Sequence, residues 1–136
     1  MKTAFISRSY EYREQYDAAI AHVVVVLRRM NMEGIDFVRR YSFGEGQARE
    51  MMAATLQSIR QADVLIAEVS EKVIGVGIEI GYAAALGKPI MYLRKADAPF
   101  STTVGGLATI AIVYDNPQDL ADKLIEALHS LDKETK

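Results

Sequence analysis

Five short apolar runs, each separated from the next by polar loops and in most gaps by a helical stretch, limit what this chain can fold into. Residues 3–7, 34–41, 64–67, 89–93 and 110–114 read as strands, and 14–30, 47–61, 75–86 and 117–131 as helices. The run Val23-Val24-Val25-Val26 has strand propensity, but it is continuous with helical flanks and stays in the first helix. Gly87 supplies a helix stop, and Asp115 or Asn116 a cap for the last helix. Val64-Leu65-Ile66-Ala67 is apolar at every position, as a central parallel strand covered on both faces must be. The pattern predicts a doubly wound, mostly parallel five-stranded α/β sheet with helices on both faces, of the Rossmann- or flavodoxin-like kind. One domain over residues 1–131 and a frayed tail over 132–136 are expected.

In such sheets ligands bind outside the carboxyl ends of the strands. That rule selects the loops 8–13, 41–46, 68–77 and 94–106. Just past the third of them lies Gly75-Val76-Gly77-Ile78-Glu79-Ile80-Gly81-Tyr82-Ala83, where one carboxylate sits among glycines and apolar residues. Desolvating a lone Glu is costly, and desolvation with fixed placement makes a carboxylate reactive. Gly75 and Gly77 let a ligand approach the backbone closely. The plainer alternative is a helix start in which Glu79 meets the positive end of the macrodipole.

Bulk properties remove several function classes. With 16 basic and 18 acidic residues the formal net charge is −2, which offers no footprint for nucleic acid or an anionic membrane. The chain has no cysteine, so disulfides, thiolate zinc sites and thiol nucleophiles are excluded, and two distant histidines make a metal centre unexpected. No cofactor is expected. The most apolar window, residues 18–27, is too short to span a bilayer, and the first residues do not form a signal peptide, so a cytoplasmic location is expected.

The spacing Gly75-x-Gly77-x-x-x-Gly81 is one residue too long for a dinucleotide fingerprint and follows the third strand rather than the first. Neither a P-loop nor a G-x-S-x-G elbow is present. The run from Ala62-Asp63-Val64 through Glu68-Val69-Ser70 and Gly75–Ala83 to Leu86-Gly87-Lys88-Pro89-Ile90 does, however, resemble the nucleoside 2-deoxyribosyltransferase family, nearest to its 2′-deoxynucleoside 5′-phosphate N-hydrolase branch. The resemblance implies cleavage of an N-glycosidic bond in a nucleoside or nucleotide. It implies Glu79 as the nucleophile at the anomeric carbon, and a homodimer or larger assembly in which a neighbouring chain completes the site.

The chain departs from the family pattern at three places. Thr55 stands where the family has an aspartate that assists the base, Val73 where the hydrolase branch has a phosphate-contacting serine, and Ala4-Phe5-Ile6-Ser7-Arg8-Ser9 replaces an early tyrosine and a Gly-Ser turn. Glu68, at the end of the third strand, is the substitute acid by position, or else a strand-end residue capping a neighbouring loop. Arg8 and Ser9 lie in the first strand-end loop, with Ser7 at the end of the strand before them, where a phosphate would need charge and donors. Ser101, Thr102 and Thr103 are candidates for phosphate or 5′-hydroxyl contacts, or for a helix cap. Two rival functions share this fold: a nucleotide-sensing module without turnover, favoured by Thr55 and Val73, and a single-glutamate glycohydrolase of NAD.

Overall fold

The computed structural model describes residues 1–134. Five strands, β1 (Lys2–Ser7), β2 (Met32–Asp36), β3 (Val64–Glu68), β4 (Ile90–Lys95) and β5 (Ile110–Tyr114), form one sheet in the order β2-β1-β3-β4-β5. Every pairing is parallel. The helices are α1 (Arg13–Arg29), α2 (Phe37–Arg40), α3 (Ala48–Gln61), α4 (Ile74–Ala85), α5 (Thr102–Leu107) and α6 (Pro117–Glu134), with a single 3-10 turn at Glu45–Gln47.

Strand alternation divides the interior into two cores. Ala4, Ile6, Val64, Ile66, Met91 and Leu93 point to one face, where Ile20, Val23 and Leu27 of α1 and Leu120, Leu124 and Leu128 of α6 cover them. Phe5, Leu65, Ala67, Ile90 and Tyr92 point to the other, under Ile59 of α3, Val76, Ile80 and Ala83 of α4, and Val104 of α5. All five residues of β3 are buried, the apolar run 64–67 because both faces are covered, and Glu68 at the strand end beside its hydrogen-bond donors. Val23 and Val26 are buried within α1, so tertiary packing overrides their β propensity.

The second strand differs from its expected bounds. It begins at Met32 and ends at Asp36, and Phe37–Arg40 turns into α2. Ile35, Phe37 and Arg39 alternate like strand residues, but the Asp36 carboxylate is held by the Arg8 guanidinium and the strand stops there. Phe37 then packs near Phe5 and Tyr41, with ring centroids 6.0 and 4.6 Å away. The sequence pattern sets no range for the short helix α5, but its start agrees with the helix-cap alternative for Ser101, Thr102 and Thr103. Ser101 is its N-cap, accepting the Val104 N–H at 3.2 Å. The last helix runs on to Glu134, past its expected end at residue 131; of the tail expected to fray, Thr135 and Lys136 lie outside the described residues. At the end of α4 Gly87 adopts φ +73°, the left-handed conformation expected of a helix stop.

Candidate active site

The chain winds outward from β1 to β2, then crosses back to lay β3 on the other side of β1. The chain leaves β1 toward α1 on one face of the sheet and leaves β3 toward α4 on the other, and a crevice opens between these loops. A cleft of about 420 Å³ occupies this place. One side is formed by Arg8, Ser9, Tyr10 and Glu11 after β1, and another by Val73, Gly75, Val76 and Glu79 of the α4 entry. The remaining wall is apolar, with Phe37, Tyr41 and Phe43 clustered beside Met51, Met52 and Thr55.

Glu79 is the centre of this arrangement. Its position in the second turn of α4 follows from Val76, Ile80 and Ala83, which bury one stripe of the helix against β3 and β4 and turn position 79 toward β1. The carboxylate accepts a hydrogen bond from the buried Ser7 hydroxyl, Oγ to Oε1 at 2.5 Å. Burial lifts its pKa from 4.5 to about 7, against the lowering effect of the Ser7 hydrogen bond. Beside it, a Cβ added at Gly75 would meet no atom of the chain within 4 Å. Packing within the chain thus does not require glycine there, and the space in front of α4 is open to a ligand.

Arg8 is neither solvated nor free. Only 4% exposed, it donates through Nε and Nη2 to both carboxylate oxygens of Asp36 at 3.0 Å and through Nη1 to the Arg13 carbonyl, while Nη1 also lies 2.8 Å from Asp17. Its charge is matched by two carboxylates. Ser9 is buried and accepts the Tyr12 N–H at 3.0 Å, which shapes the loop over the cleft.

Glu68 does not line the cleft. It is buried and accepts the Ser70 N–H at 2.8 Å, the Ser70 hydroxyl at 2.7 Å and the Tyr114 hydroxyl. Burial raises its pKa, opposed by these three donors. Ser70 in turn accepts the Lys95 N–H at 2.9 Å, so the group ties the loop after β3 to β4 and β5. This is the geometry of a strand-end residue capping a loop. Ser101, Thr102, Thr103 and Gly77 also lie outside the cleft of this chain. The buried hydroxyl of Thr55 donates to the Met51 carbonyl at 2.8 Å.

The aromatic wall and the two partners of Arg8 were not identified from sequence. The close spacing of Phe37, Tyr41 and Phe43 is a usable signal for the wall. Asp36 lies 28 residues from Arg8, and no local pattern joins them.

The fold is that of a flavodoxin-like α/β protein, and its cleft at the switch point of the sheet holds one desolvated carboxylate. The chain belongs to the nucleoside 2-deoxyribosyltransferase family, whose model matches residues 5–131. It is an enzyme of that family, acting on nucleosides or nucleotides. A protein of Syntrophotalea carbinolica, provisionally named 2′-deoxynucleoside 5′-phosphate N-hydrolase 1, is 36% identical over 124 residues, spanning 87% of this chain and 85% of that protein. Among solved structures, a CMP N-glycosidase of Clostridium botulinum matches with a TM-score of 0.70 at 22% identity, over 90% of this chain and 98% of that one. A 2-deoxyribosyltransferase of Bacillus psychrosaccharolyticus matches with a TM-score of 0.65 at 17% identity, over 88% and 90%. At these identities the two structures show a shared fold. Among the described residues, no helix is long and apolar enough to cross a membrane.

Proposed function

We propose that this enzyme cleaves the N-glycosidic bond of a nucleoside or nucleoside 5′-monophosphate, with Glu79 as the nucleophile. The observation that carries this reading is the desolvated Glu79 carboxylate facing a cleft of about 420 Å³ at the sheet's switch point. One carboxylate oxygen attacks C1′ of the sugar, the C1′–N bond breaks, and its electron pair leaves on the base, which takes up a proton from solvent, matched by the proton the attacking water gives up in the next step. Water then attacks C1′ of the glycosyl ester, releasing the sugar and restoring the Glu79 carboxylate. The same ester would pass the sugar to a second base if one enters before water.

The cleft divides chemically as this reaction needs. The sugar belongs near Gly75, where the open backbone admits it to Glu79. The base belongs against Phe37, Tyr41, Phe43 and Met51, a flat apolar wall suited to a π face. Because Arg8 is already paired twice, the candidates for the 5′ group are Ser9 and, from a second copy of the chain, Ser101, Thr102 and Thr103. Chromatographic detection of free base from ribo- and deoxyribonucleosides, their monophosphates and NAD tests the reading. Release that disappears in Glu79→Gln supports it, and undiminished release in that variant overturns the assignment.

A further inference from the structure

Ser7 makes a contact that its place in the chain does not suggest. It is the last residue of β1 and pairs in register with Ala67 of β3, so it sits at the switch point itself. It is 1% exposed, and its hydroxyl donates at 2.5 Å to Oε1 of Glu79, 72 residues later. Only one oxygen of the carboxylate is engaged in this way, because Oε2 has no hydrogen-bond donor among the described residues. Oε1 is thereby anchored to the sheet, and Oε2 is left to the reacting atom.

The residue after Ser7 keeps this contact in place. Arg8 binds Asp36 at the end of β2, Asp17 in α1 and the Arg13 carbonyl at the start of α1. These contacts pin the backbone where β1 ends, and they leave the Ser7 side chain aimed across the crevice at α4. The other charged or titratable groups facing the same cleft are Arg8, Tyr10, Glu11 and Tyr41. None of them is hydrogen-bonded or ion-paired to Glu79 among the described residues, and Glu68 is held apart by Ser70 and Tyr114.

We infer that Ser7 is the positioning residue of this active site, orienting the Glu79 carboxylate and favouring its ionised form through a hydrogen bond from the end of β1. This rests on the proposed role of Glu79 and deepens it. It gives Ser7 to the carboxylate rather than to substrate. A donor to an ionised carboxylate stabilises the charged form, so removing it makes the group harder to ionise. In Ser7→Ala the acid limb of the kcat/KM profile should therefore move to higher pH, by about one to two units. The loss of rate should be largest on the acid side of neutrality and should shrink above the shifted limb. Ser7→Thr, which keeps the hydroxyl, should restore the limb.

The decisive measurement is carried out on the full chain in two parts. Carbon-13 NMR titration of the Glu79 carboxyl, identified by its loss in Glu79→Gln, is compared between wild type and Ser7→Ala, with thermal unfolding as the check that both fold. The base-release profile against pH is recorded for the same proteins. An upward shift in both titration and profile supports the inference. An unshifted Glu79 titration in folded Ser7→Ala overturns it, whatever the activity. A shifted titration in a protein that releases no base from any substrate leaves the contact standing but removes its catalytic meaning, and with it the proposed function.

Discussion

At the scale of single residues, Glu79 carries a cost to the fold that its burial makes measurable. Its pKa is about 7 in the folded chain and near 4.5 when unfolded, so the unfolded chain gives up its proton first as pH rises. Stability therefore falls between about pH 4.5 and pH 7 and the loss is complete above that window. Glu79→Gln removes the charge, so it should be more stable than wild type at pH 8, by about 3 kcal/mol, and nearly equal to it at pH 4. Thermal unfolding at the two pH values checks this, and an advantage independent of pH would contradict the raised pKa. Arg8 has the opposite character. Arg8→Met leaves Asp36, itself buried, without its partner, and should cost about 3–5 kcal/mol in urea unfolding. A loss below about 1 kcal/mol would mean the pair is as weak as a surface one.

At the scale of elements, α4 presents two different glycine roles. Gly87, just beyond it, has φ +73°, so Gly87→Ala should destabilise by about 1 kcal/mol without touching the cleft. Gly75 has open space where a Cβ would go, so Gly75→Ala should fold with wild-type stability yet raise KM for substrate. Unfolding curves beside kinetics separate the two, and an unchanged KM in Gly75→Ala would move the sugar elsewhere. The α5 cap gives a comparable test. Ser101→Ala loses the hydrogen bond from Val104 and should cost about 1 kcal/mol; a raised KM beside that loss assigns Ser101 to substrate as well, and an unmoved KM leaves it the cap alone.

At the scale of the whole molecule, the outer face of α4 carries no charge. Ile74 and Ile78 are 84% and 50% exposed, Gly77 and Gly81 have open space above them, and Phe100 and Leu107 are exposed on and beside α5. Apolar side chains flanked by small residues allow another helix to approach closely, and a second copy of the chain fits that description. Sedimentation should show a dimer or larger assembly for wild type and a monomer for Ile78→Lys. A monomeric wild type at micromolar concentration would leave the cleft to be completed by this chain's own residues.

Much of this molecule could be read along the chain. The alternation of apolar runs with helical stretches determined the layered sheet, and the apolar run 64–67 determined that β3 is central, because covering both faces of a strand demands an apolar residue at every position. The glycine-flanked Glu79 was visible for the same local reason, since a carboxylate in apolar sequence is conspicuous. The consequences of strand order were not visible. The Asp36 carboxylate, where β2 gives way to α2, meets Arg8 from 28 residues earlier, and the Glu79 carboxylate meets Ser7 from 72 residues earlier. Periodicity encodes which face of an element is buried, over a few residues at a time. Only the sheet order, by laying β1 between β2 and β3, decides which distant polar groups meet in the crevice and which of them are left free to react.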